Sequence, residues 1–156
     1  MQIDYMLDTC AINHIIEDKS KLSAVLNKNL NFFITYIQID ELDKMKVAWT
    51  DKYSDAVKFL NMIQVKEKPS SVTIVNHWCL GKTKLGNGEN YNRVLEFMKC
   101  KHKKKNHIHD AIIADSAIEY KMILVTDDAL LINAINNIGG TVITLDNFIK
   151  IILTIK

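Results

Sequence analysis

Four short stretches of this sequence place carboxylates where they could act together: Asp8, Asp40-Glu41, Asp110 and Asp127-Asp128. Crowded carboxylates repel, and without a counter-charge one of them keeps its proton at neutral pH. A divalent cation removes that cost. A few hard oxygen ligands, with room left for water, suit Mg²⁺ or Mn²⁺. An ion held this way can activate water and stabilise an in-line displacement at a phosphodiester. Each acid alone also has a plain structural use. Asp8, Asp110 and Asp128 stand where a helix N-cap is expected, and Glu41 where an acid favours the helix dipole. The argument for chemistry lies in the set of four.

Those acids need a scaffold, and periodicity predicts one. Residues 3–7 read as a short strand, and Asp8-Thr9 starts a helix with Ala11, Ile12, Ile15 and Ile16 on its apolar face. A second helix is expected over 20–28. Asn31–Ile37 is rich in β-branched and aromatic residues and reads as a strand, with a helix following from about Asp40. Residues 52–66 read as a helix whose stripe is Ala56, Phe59, Leu60 and Ile63. Beyond Pro69, Val72–Val75 alternates like a strand, and 81–92, with Gly81, Gly86, Gly88, Asn90 and Asn92, reads as a loop. Helices are expected at 91–100 and 108–120, and a buried strand at Met122–Val125. A helix over Asp128–Asn137 is closed by Gly139-Gly140. Thr141–Leu145 reads as a last strand, and Asp146 as the cap of a terminal helix or extended tail.

Strands alternating with long helices imply parallel pairing through crossovers. The expected fold class is α/β, a three-layer α/β/α sandwich around a central, mostly parallel sheet. One domain spans 1–156, with an insertion or variable excursion at about 69–92. In such sheets ligands bind beyond the carboxyl ends of the strands. Asp8, Asp40-Glu41 and Asp127-Asp128 fall there, and Asp110 opens the helix leading into the Met122–Val125 strand.

The 156 residues are 48% hydrophobic, with only 5 Gly and 1 Pro, which excludes a disordered, linker-like or collagen-like chain. No apolar run reaches the ~18 residues of a spanning helix, so no membrane partner is expected. Asp4 and Asp8 interrupt the region where a secretory signal would be basic and then apolar. Cys10, Cys79 and Cys100 include no C-x-x-C pair, so a reducing cytoplasm is expected rather than a disulfide framework. The net charge of +2 is too small to announce a nucleic-acid ligand. Its distribution says more. Lys99, Lys101, Lys103, Lys104 and Lys105 cluster just before Asp110, where they could hold a nucleic-acid backbone by its phosphates. A solvated helix end is the plainer use. Aromatic stacking of bases could come from Tyr53, Tyr91 or Trp78, each of which could equally be packing.

Taken in order, these motifs resemble the PIN-domain family of metal-dependent ribonucleases. Tyr5-Met6-Leu7-Asp8-Thr9-Cys10-Ala11-Ile12 is similar to the family's strand-Asp-Thr-Asn opening. Ile39-Asp40-Glu41-Leu42-Asp43-Lys44-Met45-Lys46 is similar to the Glu-Leu-Asp-x-Leu-Lys segment of one branch. His109-Asp110-Ala111-Ile112-Ile113-Ala114-Asp115-Ser116-Ala117 resembles the third acidic motif, and Ile123-Leu124-Val125-Thr126-Asp127-Asp128 the closing strand-Thr-x-Asp. Val142-Ile143-Thr144-Leu145-Asp146-Asn147-Phe148 resembles the final strand and turn, so the likeness spans nearly the whole chain.

The resemblance implies that Asp8, Glu41, Asp110 and Asp128 are the catalytic acids. Asp8, Asp110 and Asp128 would hold Mg or Mn, with Glu41 joining directly or through water. Thr9 and Thr126 would support them, and Asp127, Asp115 and Asp43 would be accessory acids. Cys10 stands where the family has the Asn or Ser that braces the first Asp, so a weaker brace is expected. Cys10 itself reads as a buried structural thiol, since acidic neighbours raise a thiol's pKa. The activity implied is endonucleolytic hydrolysis of RNA by water, leaving 5′-phosphate and 3′-hydroxyl ends with no Ser or Cys nucleophile. The partners implied are an RNA substrate, a cognate antitoxin and a second copy of the chain, as for the toxin of a toxin–antitoxin pair. The Glu41-Leu42-Asp43 segment is also similar to PIN proteins of RNA processing.

Three rivals remain open from sequence. Cys100, His102, His107 and His109 could bind zinc, although one-residue spacings are uncommon for that ion. A receiver-like phosphoacceptor domain also gathers acids at strand ends. A PIN fold could also serve as a non-catalytic binding module.

Overall fold

The structure, a computed structural model, describes residues 3–70, 88–101 and 107–154. Strand β1 (Asp4–Leu7) leads into helices α1 (Thr9–Glu17) and α2 (Lys19–Leu26). Aspartates start both helices: Asp8 accepts from the backbone N–H of Thr9, and Asp18 from those of Ser20 and Lys21. Strand β2 (Asn31–Ile34) is followed by α3 (Tyr36–Ala48), α4 (Thr50–Met62) and the short β3 (Lys66–Glu67). The second half holds α5 (Glu89–Lys101), α6 (Ile108–Glu119), β4 (Ile123–Val125), α7 (Ala129–Asn137), β5 (Val142–Ile143) and α8 (Leu145–Thr154).

Among the described residues five strands pair in the order β3-β2-β1-β4-β5, every pair parallel. From β1 the chain builds outward through β2 and β3, then returns to place β4 and β5 on the other side. The strand order therefore reverses between β1 and β4, and the crevice beyond their carboxyl ends is the switch point where open α/β sheets bind ligands. This order also rules out the receiver-like alternative, whose doubly wound sheet runs 2-1-3-4-5.

Alternation along the strands makes two cores, one on each face. Met6, Phe33 and Leu124 pack with Val94 and Met98 of α5, Ile112 and Ile113 of α6 and Leu131 of α7. Tyr5, Leu7, Phe32, Ile34 and Val125 face the other way, onto Ile12 and Ile15 of α1, Phe59 of α4 and Phe148 of α8. The three layers are those the strand–helix alternation predicts.

Several boundaries differ from the sequence reading, each for a local reason. β2 stops at Ile34, not Ile37. Thr35 accepts from the Ile37 N–H while Gln38 Oε1 accepts from the Thr35 N–H, a capping box that overrides the strand preference of Tyr36 and Ile37. Asp40 and Glu41 consequently lie inside α3 rather than directly beyond a strand. α4 ends at Met62, Gln64 turns at φ 51°, and β3 follows as an edge strand of two exposed charged residues. α5 begins at Glu89, so Asn90 and Asn92 are helical; the Asp115 carboxylate satisfies the Tyr91 N–H in its first turn. β5 is only Val142–Ile143, and Thr144, not Asp146, caps α8 by accepting from the Asn147 N–H. The expected strand Val72–Val75 and most of the 69–92 excursion lie outside the described residues. Among the described residues, no helix is long and apolar enough to cross a membrane.

Candidate metal centre at the carboxyl edge of the sheet

Asp8 stands at the switch point. Its backbone N–H continues the ladder to the Val125 carbonyl at 3.1 Å, fixing it beside the end of β4. Its side chain is 7% exposed. Oδ1 accepts from the Thr9 N–H at 2.7 Å, and Oδ2 from Thr126 Oγ1 at 2.7 Å and Cys10 Sγ at 3.0 Å. All three donors are neutral. Burial pushes the Asp8 carboxyl above its ordinary pKa, the hydrogen bonds from Cys10 and Thr126 oppose that rise, and the charge of Glu41 adds to it.

Thr126 is fully buried and links two of the acids. It donates to Asp8 and accepts from the Asp128 N–H at 3.1 Å. Asp128 caps α7, taking the Leu130 and Leu131 N–H groups at 2.8 and 3.1 Å. Both bonds go to Oδ1, so the cap leaves Oδ2 for another ligand. Capping and metal binding are compatible here, not competing readings.

Glu41 reaches the same edge from α3, and the reason is Gln38. Gln38 is fully buried; its Oε1 completes the capping box with Thr35, while its Nε2 donates to the Leu7 carbonyl at 3.2 Å. That bond pins the first turn of α3 to the residue before Asp8. Glu41 follows three positions later, on nearly the same helix face. Its Oε2 accepts from Thr9 Oγ1 at 2.6 Å and its Oε1 lies 3.0 Å from His109 Nδ1. His109 precedes Asp110 in the first turn of α6, and Asp110 Oδ2 lies 3.4 Å from Nδ1 of the buried His107. One hydrogen-bonded line therefore runs from Asp128 through Thr126, Asp8 and Thr9 to Glu41 and His109, next to Asp110.

The other acids of the sequence reading serve different neighbours. Asp127 Oδ2 is 2.9 Å from His14 Nδ1, and its Oδ1 accepts from the Leu145 N–H at 2.9 Å, tying α1 and α8 to the edge. Asp115 is 5% exposed and holds the first turn of α5. Asp43 is exposed, accepts from the Tyr53 hydroxyl at 2.9 Å, and lies about 200° around α3 from Glu41. Lys99 and Lys101 are exposed in the last turn of α5, whereas Lys103, Lys104 and Lys105 lie outside the described residues.

Cys10 braces Asp8 directly, so the departure from Asn or Ser costs less than the sequence suggests. It is half-buried rather than fully buried. Burial first, and the Asp8 charge second, push its thiol up to about 12, so at neutral pH it stays an S–H donor. Gln38 and His109 are the positions sequence reasoning missed. The Thr35-x-x-Gln38 spacing is a capping-box signal for the first; the sequence offers His109 only as a zinc ligand. In the structure His109 is turned to Glu41, His107 faces Asp110, Cys100 is exposed, and His102 lies outside the described residues.

The donor set suits a hard divalent cation. A carboxylate offers roughly four acceptor positions, and Asp8 uses three of them. The charge acting on it is another carboxylate, so a cation here would offset the penalty of burial. Among the described residues, no three His, Cys, Asp or Glu side chains converge into a ready cage. The structure pairs Asp8 with Glu41 through Thr9 and with Asp128 through Thr126, and brings Asp110 beside the line through His109.

No family model and no curated protein matches the sequence. Solved structures do match. PAE2754 from Pyrobaculum aerophilum superposes with a TM-score of 0.59 over 98% of this chain and 98% of its own, at 17% identity. VapBC-1 from nontypeable Haemophilus influenzae gives 0.58 over 92% and 99%, at 16% identity. VapBC2 from Rickettsia felis, solved bound to a DNA fragment from their promoter, gives 0.57 over 91% and 98%, at 17% identity. At such identities the likeness is one of fold. With the strand order, the switch-point acids and these superpositions over nearly its whole length, the chain has the fold of the PIN domains.

Proposed function

We propose that the chain is a Mg²⁺- or Mn²⁺-dependent endoribonuclease and the toxin of a toxin–antitoxin pair. The observation that carries the chemistry is Asp8: a buried carboxylate at the switch point, solvated only by neutral donors and facing a second carboxylate. Asp8, Asp110 and Asp128 would hold the ion, with Glu41 beside them. A bound ion supplies a water of lowered pKa and charge balance on the phosphodiester oxygens. Thr9, Cys10 and Thr126 orient the Asp8 oxygens. His109 and Thr9 orient Glu41, so that Glu41 can steer a water or accept its proton. No nucleophilic side chain is required, and the raised Cys10 pKa agrees with that.

The toxin assignment rests on the likeness to two VapBC toxin–antitoxin structures over more than nine-tenths of the chain. The partners proposed are RNA, an antitoxin protein and a second copy of the chain, and the compartment proposed is the cytoplasm. The test is cleavage of end-labelled single-stranded RNA by the purified chain with Mg²⁺, with Mn²⁺ or with chelator. Metal-dependent cleavage leaving 5′-phosphate ends is expected. RNA left intact at every metal concentration, by protein shown to bind the metal, contradicts the activity.

A further inference from the structure

We infer that the groove between α5 and α7 is the track along which single-stranded RNA runs to the acidic edge, an inference resting on the nuclease reading above. The groove encloses about 760 Å³ and opens at the surface. Among the described residues its lining carries Lys101 and no acidic side chain. An acidic edge repels a polyanion, so a strand must approach it over a surface without carboxylates. Other cavities do not qualify: the one lined by Lys28 and Lys66 lies at the amino end of β2, away from the acidic edge, and those beside α1 and α4 carry Asp55 or Glu17 among their lysines.

The position fits as well. α7 starts directly after Asp128, so the α7 wall of the groove begins at the acidic edge. α5 ends at Lys101, six residues before the His107 cap of α6, the helix that carries His109 and Asp110. Lys101 lines the same groove as Ala129, the residue after Asp128, so the end of α5 faces the start of α7 beside the candidate centre. Along α7 the core face is Leu131, Ala134 and Ile135, while Asn133, Asn136 and Asn137 are exposed and line the groove. Their spacing of three and four puts these amides on one helix face. Amides both donate and accept, the pattern needed to meet the edges of unpaired bases without charge. On the facing wall Phe97 is half-buried and offers a ring for a base to stack on, with Lys101 beside it for a phosphate.

The test measures binding of a fluorescent single-stranded RNA by the full chain, by anisotropy in chelator at several salt concentrations. An Asn133→Asp/Asn136→Asp pair puts two negative charges into the groove at exposed positions, and circular dichroism checks that it folds. Lys58→Asp, on α4, is the charge-matched control. The groove pair should weaken binding at least about tenfold with the control unchanged, and Lys101→Gln should lower the salt slope by about one. Equal affinity for the groove pair and wild type overturns the track, and so does equal weakening by the control. Cleavage assays separate the two claims. Wild-type cleavage with an indifferent groove sinks the track and leaves the nuclease, whereas groove-dependent binding without cleavage keeps the track and sinks the nuclease.

Discussion

At the scale of single residues, the candidate centre is a set of acids tied together by hydroxyl, thiol, imidazole and backbone N–H groups. Asp8 illustrates the balance. Three donors hold its oxygens in place, yet burial and Glu41 both disfavour its charge. Asp8→Asn should therefore leave the metal-free chain at least as stable as wild type, while cleavage falls by more than about 100-fold; losing groups one shell further out typically costs 10–100-fold. Thermal unfolding in chelator checks the first half. A melting temperature well below wild type would mean the Asp8 charge is stabilising on its own. Cys10 gives an independent check. With its pKa up at about 12, only on the order of 10⁻⁵ of it is thiolate at neutral pH. Iodoacetamide should label the exposed Cys100 and leave Cys10 unmodified, as read by peptide mass spectrometry. Rapid alkylation of Cys10 in the folded chain would contradict the thiol's role as a donor to Asp8. Asp8 and Asp127-Asp128 were legible in the sequence because hydrophobic runs end just before them, whereas Glu41 and Asp110 stood out only through the motifs around them. His109 and Gln38 were not read as site residues, because their value comes from partners 68 and 31 positions away in the chain.

At the scale of elements, positions are set by a few side-chain bonds at helix starts. Gln38 fixes α3 against the end of β1, and through it Glu41. Gln38→Leu strands the Leu7 carbonyl and breaks the capping box, so it should cost about 1–3 kcal/mol of stability. It should also slow cleavage by roughly 100-fold through misplacement of Glu41. Loss of stability with full activity would show that α3 is held some other way. Gly140 marks a second constraint. A Cβ there would come within 2.7 Å of Ile135 Cγ2 and 2.9 Å of Ile118 Cγ1. Both atoms are bonded directly to the branched Cβ of an isoleucine and have little freedom to give way, so Gly140→Ala should destabilise by about 1–3 kcal/mol, read from denaturant midpoints. Asp18 supplies a pH-dependent case. Its bond from the Ser20 hydroxyl, first, and those from the Lys21 and Ser20 N–H groups hold its pKa below the ordinary carboxylate value. A depressed folded pKa means its contribution is present above the unfolded value and lost as pH falls through the folded one. Asp18→Ala should thus lower the melting temperature at neutral pH and lower it less once the wild-type carboxyl is protonated. Helix and strand types, β3 apart, were legible from periodicity; boundaries moved where a side chain outside the pattern took over a cap, as Thr35, Thr144 and Asp115 do, or where the backbone turned, as at Gln64.

At the scale of the whole molecule, the strand order decides where chemistry can happen. A 3-2-1-4-5 sheet with both faces covered leaves its crevice between β1 and β4, and there the chain puts Asp8 and Thr126-Asp127-Asp128. The layered class followed from strands alternating with helices, but the order did not, since no pattern within one strand names its neighbour. β3 escaped the sequence for a similar reason: Lys66-Glu67 carries no apolar alternation and is a strand only because β2 pairs with it. The centre joins elements from both halves of the chain, so a bound ion should stabilise the whole fold by roughly 2.7 kcal/mol at a hundredfold excess over its Kd. The most direct measurement is Mn²⁺ binding by electron paramagnetic resonance, with thermal unfolding alongside, for wild type and Asp8→Asn. The expected result is a bound ion and a raised melting temperature in wild type, both absent in the variant. Equal binding and equal stabilisation in the two proteins would contradict a metal centre built on Asp8.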